Sequence, residues 1–253
     1  MTSLSFLGNA TSYLRIPNSS NLNFRTGDFT IEWYQYQTDS NSFPRIFQIG
    51  SYNVGSGISI GVSIEGGIFL FWSNGTYVSV INLSSYKNQW VHFAICRSSG
   101  TTKIFMNGTS IYSVSDNKDY NSTYDLVISN ETVQSNSAAF GGYLSYFHWV
   151  KGSALYTSNF TVSNTYPSST ANTVLLLNAN TFAGTLGSSV VNNNVGTYSI
   201  VPTNFSNPNQ QTPYVKPYKP AYSNNTLVFY KAGSLSATGV GTVQNSRYKS
   251  HRI

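Results

Sequence analysis

Between Asn88 and Ser113 the chain reads NQWVHFAICRSSGTTKIFMNGTSIYS, a stretch that holds a histidine and the only cysteine of the protein. A thiol beside an imidazole can act as a nucleophile with its base, so His92 and Cys96 are the first candidates for chemistry. Their spacing speaks against it. WVHFAICR alternates Trp90, His92, Ala94 and Cys96 on one face with Val91, Phe93 and Ile95 on the other. Both sets are mainly apolar, which predicts a central strand buried on both sides. Four residues along an extended strand is about 13 Å, too far for a base to reach its nucleophile. His92 and Cys96 are therefore expected to be packed side chains, the thiol inert.

The elements around this strand follow from the same alternation. SLSFLG, SYLRIP, DFTIEWYQYQ, RIFQIG, GISIGVSIEGG and GIFLFWSNGTYVSVINL are short period-two runs separated by Gly, Asn and Ser, the pattern of a β-sandwich. In DFTIEWYQYQ, Phe29, Ile31 and Trp33 oppose Thr30, Glu32 and Tyr34. Asn74-Gly75 and Asn107-Gly108 are two-residue hairpin turns, since both residue types tolerate positive φ. No helical period longer than a turn or two is present. Charged residues make up only 9% of the 253 and aromatics 15%, a polar but weakly ionic surface that suits strands and turns better than helices. One cysteine excludes an internal disulfide. The N-terminal stretch lacks a basic start and an apolar run, so no secretory signal is expected. The sequons at Asn9, Asn74, Asn107, Asn121 and Asn159 then reflect an Asn-, Ser- and Thr-rich composition. The strongest apolar run, TVLLLNA, is strand-sized, so no membrane span is expected.

Three segments together carry a family pattern: DFTIEWYQY, QWVHFAICRSSGTTKIFMNGTSI and GGYLSYFHWVKGSALYTSNFTVS. They resemble the laminin-G-like, concanavalin A-like jelly-roll family. The last segment is the most specific, with Gly142, Leu144, Phe147, Trp149, Lys151, Gly152, Ala154, Leu155, Tyr156, Thr157, Asn159 and Phe160 in place; His148 stands where many relatives carry Arg. The resemblance spans about residues 3–182. It is similar in particular to versions found in structural proteins of phages and large DNA viruses, where such a segment precedes an "NT-LLL" strand, here Asn172–Asn180. It implies an all-β fold, a two-sheet antiparallel jelly-roll sandwich. In residues 183–213 the short β-like pieces SSVV and TYSIV read as finishing strands or a lid, so the sandwich domain is expected to span residues 1–213. The resemblance also implies that Tyr156 and Phe160 pack over the edge of the sandwich. Residues 214–253, which begin YVKPYKPAYSNN, read as an extended basic arm.

The same fold class includes glycoside hydrolases that hold paired carboxylates on one strand. Nothing here matches that arrangement: Glu32 stands alone among Thr, Trp and Tyr, Glu65 precedes a Gly-Gly turn, and Glu131 sits in a loop. No enzyme is expected, and no cofactor. Laminin-G-like domains often bind calcium at a loop rim. Asp116, Asp119 and Asp125 could supply ligands, but Lys118 lies among them, and His92, His148 and His251 are scattered; no metal site is expected. Tyr52, Tyr77, Tyr120 and Tyr124 could stack on sugar rings.

The charge is lopsided. Residues 1–131 hold seven Lys/Arg against all eight acids, whereas residues 132–253 hold seven Lys/Arg and none. Lys231, Arg247, Lys249 and Arg252 of the arm are candidate docking residues for a neighbouring protein or an anionic surface. The expectation is a non-enzymatic structural component of a virus particle, a minor capsid or capsid-associated protein located in the virion, whose partners are other capsid or virion proteins. The alternative is a carbohydrate-binding lectin or adhesin module whose partners are glycans.

Overall fold

The computed structural model describes residues 2–38, 41–50, 60–73, 75–133, 135–163 and 169–177, and five short strand segments beyond them. Lys231, Arg247, Lys249 and Arg252, with the rest of the arm except two short paired strands, lie outside the described residues, as does the TYSIV piece.

The chain is a two-sheet antiparallel sandwich. The strands are β1 (Thr2–Leu7), β2 (Leu14–Ile16), β3 (Phe29–Gln37), β4 (Arg45–Ile49), β5 (Ile60–Glu65), β6 (Ile68–Ser73), β7 (Thr76–Asn82), β8 (Trp90–Ser98), β9 (Thr101–Met106), β10 (Thr109–Ser115), β11 (Leu126–Ile128), β12 (Gly141–Lys151) and β13 (Thr173–Leu177). They are followed by the short pieces β14 (Phe182–Ala183), β15 (Val191–Asn192) and β16 (Pro202–Asn204), and by β17 (Thr226–Leu227) paired with β18 (Gly241–Thr242). The larger sheet runs β10-β9-β8-β3-β12-β1-β16, with β13 also on β12 and β14 on β13; the smaller runs β15-β2-β11-β4-β5-β6-β7.

The alternation in the sequence is the alternation of the faces. Phe29, Ile31 and Trp33 of β3 and Val91, Phe93 and Ile95 of β8 point into the core, where they meet Phe47, Val62, Ile64, Phe69 and Phe71 of the smaller sheet. Trp33 lies at the centre, stacked on Phe93 with centroids 5.6 Å apart and edge-on to Phe47 at 5.6 Å, geometries that aromatic quadrupoles favour. The β9–β10 hairpin turns at Asn107 and Gly108, both with positive φ (48° and 80°), as a two-residue primed turn requires.

Two features escape the alternation. β11 is only three residues, Leu126–Ile128, yet it joins β2 to β4 and completes the smaller sheet. In β12 the ladder to β3 is interrupted between Ser145 and His148, where Tyr146 adopts φ 64°. This bulge lies where the other edge of β12 passes from β1 to β13.

At one end of the sandwich Arg97 is fully buried. Its guanidinium donates to the carbonyl oxygens of Arg25, Gly27 and Lys118, and lies over the rings of Phe29 and Tyr120 at 5.0 and 4.9 Å. One side chain thereby gathers two loops against β8.

Candidate functional site

The face of β3 and β8 turned away from the core carries Thr30, Glu32, Tyr34, His92, Ala94 and Cys96. It is buried as well, because residues 153–163 cross it as a strap. Tyr156 and Phe160 of the strap stack on one another at 3.6 Å and pack against Ala94, Cys96 and Phe105. They cover the middle of the larger sheet rather than its edge, a correction to the placement expected from the family pattern. The reason is in the strap's anchors. Thr30 Oγ1 accepts from Leu155 N–H and donates to the Ser153 carbonyl. Phe160 N–H reaches the Gly108 carbonyl, Ser110 N–H reaches Asn159 Oδ1, and Lys103 Nζ reaches the Thr157 carbonyl.

Beneath the strap Glu32 does not stand alone. His148 Nδ1 lies 2.8 Å from Glu32 Oε1, and His92 Nε2 lies 3.3 Å from Oε2, which also accepts from the Tyr156 hydroxyl at 2.9 Å. Both histidines pair with a carboxylate after all, because the registers bring three strands together: His148 is directly opposite Glu32, and His92 is opposite Tyr34, one position diagonal. Burial alone would raise the Glu32 pKa, but the hydrogen bonds from His148 and His92, with their charges, outweigh it and hold the carboxyl at about 2. Burial, and then the Glu32 charge, push the Tyr156 phenol up.

Cys96 is 1% exposed, and Thr30 Oγ1 is 3.4 Å from its sulfur. Burial raises the thiol to about 12, so it is protonated and unreactive at neutral pH. His92 and Cys96 share a face but no cleft.

The candidate calcium carboxylates are dispersed among arginines. Asp119 pairs with Arg25 at 2.9 Å, Asp125 with Arg15 at 3.3 Å, and Asp116 accepts from Thr102 and Tyr120 with Arg97 at 4.0 Å. Of the other described acids, Asp28 accepts from Ser99 N–H, Glu65 from Arg45, and Glu131 from Ser135. Each acid among the described residues is thus held by its own chain.

The outer face of the smaller sheet is buried along β4 and β5 and comes to the surface at the edge strand β7. A row runs across it from Gln48 through Gly61 and Trp72 to Tyr77, each opposite the next. Gly61 has no room for a side chain: a Cβ there would sit 2.9 Å from the Phe47 carbonyl oxygen. Trp72 instead reaches back over β5 and donates from Nε1 to Ser63 Oγ at 2.6 Å. Arg45 lies 5.3 Å from its ring and pairs with Glu65 at 3.0 Å. Tyr77 packs beside the indole at 4.8 Å and is 57% exposed. The result is a ledge of two aromatic rings bordered by an internally neutralised charge pair. Of the tyrosines expected at a sugar site, Tyr77 is on this ledge and Tyr124 is half-buried elsewhere. Tyr120 is buried and tied to Asp116 and Ser73; it cannot stack on a ligand. Tyr52 lies outside the described residues. Trp72, the residue missed, was readable: a two-residue turn at Asn74-Gly75 places it opposite Tyr77.

Among the described residues no helix is long and apolar enough to cross a membrane. A family model described as the concanavalin A-like lectin/glucanases superfamily matches residues 7–154. The sequence matches none of the curated proteins. Among solved structures, a candidate carbohydrate-binding protein from Bacteroides ovatus aligns with a TM-score of 0.56 and 14% identity, covering 80% of this chain and 59% of that one. Domains LG4-5 of the mouse laminin α1 chain align at 0.46 with 13% identity over 63% and 45%, and the SAP-like pentraxin of Limulus polyphemus at 0.45 with 17% identity over 61% and 77%.

Proposed function

Because the chain belongs to the concanavalin A-like lectin/glucanases superfamily, we propose that it is a non-catalytic, glycan-binding sandwich whose ligand stacks on the Trp72–Tyr77 ledge. The observation that carries this reading is the exposed Tyr77 ring set against the half-buried Trp72 where the smaller sheet reaches its edge strand β7. Aromatic faces of this kind offer apolar area to the C–H face of a pyranose. The charges beside the ledge, Arg45 and Glu65, neutralise one another, so the ligand class is a neutral sugar rather than a sialylated or sulfated one. The acids support the non-catalytic reading: each described carboxylate has a structural partner, and Glu32 and Glu65 lie on different sheets. A glycan array followed by titration of the best neutral binder tests the reading. Binding abolished by Tyr77→Ala in a folded protein supports it, and silence across a broad neutral panel overturns it.

A second reading keeps the chain as a structural component of a virus particle, with capsid or virion proteins as partners and the virion as its location. The segment from the strap to β13 favours it, through its likeness to phage and large-virus versions of the domain. In this reading residues 1–213 form the sandwich and residues 214–253 the anchor. Deleting residues 214–253 is expected to leave a folded sandwich that no longer joins its assembly; normal incorporation would overturn it.

A further inference from the structure

The hydrogen bonds of the buried Glu32 cluster satisfy every ring nitrogen but one. With His148 carrying its proton on Nδ1, that proton goes to Glu32, and Nε2 accepts from the Thr173 hydroxyl at 2.8 Å; Thr173 Oγ1 in turn accepts from Thr170 N–H at 2.8 Å. His92 gives its Nε2 proton to Glu32, but its Nδ1 is buried and has no hydrogen-bond partner among the described residues. A lone pair there is left unmet. A proton there would become a buried cationic N–H with no acceptor, a more costly state.

We infer that the Glu32–His92–His148–Tyr156 cluster is an acid-sensitive latch that holds the strap closed over the larger sheet. One carboxylate can offset one imidazolium, not two. Among the described residues, the groups that face the cluster supply no second anion. Tyr34 of β3 packs on His92 at 4.7 Å, Cys96 of β8 is a protonated thiol, and Tyr146 of β12 lies edge-on to His148 at 6.1 Å. Lys103 of β9 adds a cation bound to the strap itself. A proton added to one ring and then to the other therefore takes the cluster from net negative, through neutral, to net positive. Water is the remaining acceptor for His92 Nδ1, and the strap is what keeps water out: Phe160 sits edge-on to His92 at 5.9 Å. Gly152, with φ 84° and open space around it, gives the strap a pivot at the end of β12. The latch lies on the opposite sheet from the Trp72–Tyr77 ledge and stands independently of the glycan reading.

Hydrogen exchange on the full chain at about pH 7.5 and about pH 5, normalised for intrinsic rates, tests the latch. Residues 153–163 are expected to lose roughly tenfold protection in acid, while core amides of β3 and β8 keep theirs. His92→Phe keeps a ring under Phe160 and removes the unpartnered Nδ1, so its strap is expected to stay protected at both values. Equal protection of the wild-type strap at both pH values, or the same acid opening in His92→Phe, overturns the proposal. Nitrogen NMR of the wild-type His92 ring gives the result without a variant: protonation of Nδ1 must coincide with strap opening, and protonation under a closed strap sinks it.

Discussion

His148 Nδ1 and Glu32 Oε1 lie 2.8 Å apart although 116 residues separate them in the chain. The carboxylate they share with His92 and Tyr156 ties three neighbouring strands to the strap at a single point. Its effect on stability has a definite sign. The Glu32 pKa is depressed from 4.5 to about 2, so its contribution is complete above about pH 4.5 and is lost as pH falls through 2. The depression corresponds to an amount on the order of 3 kcal/mol. Urea midpoints of the wild type are expected to fall across that window, and Glu32→Gln to show a smaller fall. An unchanged acid slope in the variant would assign the loss to other groups.

Removing the carboxylate outright is expected to cost more. Glu32→Ala leaves two imidazole donors and the Tyr156 hydroxyl unmet in a dry site, which places the loss at about 3–5 kcal/mol at neutral pH. Chemical denaturation measures it; a loss below about 1 kcal/mol would mean that water replaces the side chain.

The thiol of Cys96 is expected to be silent. With its pKa raised to about 12 and the strap overhead, alkylation at mildly alkaline pH should proceed only through opening of the strap or of the fold. Mass spectrometry should find full labelling in denaturant and almost none in the native protein. Rapid native labelling would show that the strap is not seated as described.

Gly108 is required twice over. Its φ of 80° is left-handed, and an added Cβ would collide with the Phe160 carbonyl oxygen, while its own carbonyl accepts from Phe160 N–H. Gly108→Ala is expected to destabilise by about 1–2 kcal/mol from backbone conformation alone, and to loosen residues 153–163 in hydrogen exchange ahead of the rest of the sheet. A variant as stable and as protected as the wild type would deny the close approach.

On the smaller sheet, Tyr77→Ala is expected to leave thermal unfolding within about 0.5 kcal/mol of the wild type and to abolish neutral-glycan binding. Trp72→Ala loses binding too, but also stability, because the indole covers Gly61 and holds Ser63. Calorimetric titration beside a melting curve separates the two.

Much of the sandwich was legible as alternation. β3, β8 and the β9–β10 hairpin follow directly from period two and from Asn-Gly, and the burial of both faces of β8 was readable because neither face is polar. β11 was not, since three residues carry no period. The strap is legible as a segment, but the family pattern sets it over the edge, because what positions it on the sheet is a set of hydrogen bonds to Thr30 and Gly108, distant in sequence and without local signature. The cluster was hidden for a related reason. Glu32, His92 and His148 each occupy a second-face position on a strand buried on both sides, which is a sign of a partner, but only the strand order shows that the partners are one another. The candidate sugar platform was half visible: Tyr77 by its type, Trp72 only through the pairing that the Asn74-Gly75 turn dictates.

The corner organised by Arg97 has a consequence in solution. Its cation is matched by the buried Asp116 carboxylate, carbonyl dipoles and ring faces within the fold, out of reach of dissolved ions. Brine that erodes the exposed Arg25–Asp119 contact has no purchase on it, so this end of the molecule should keep its shape across wide swings in salinity.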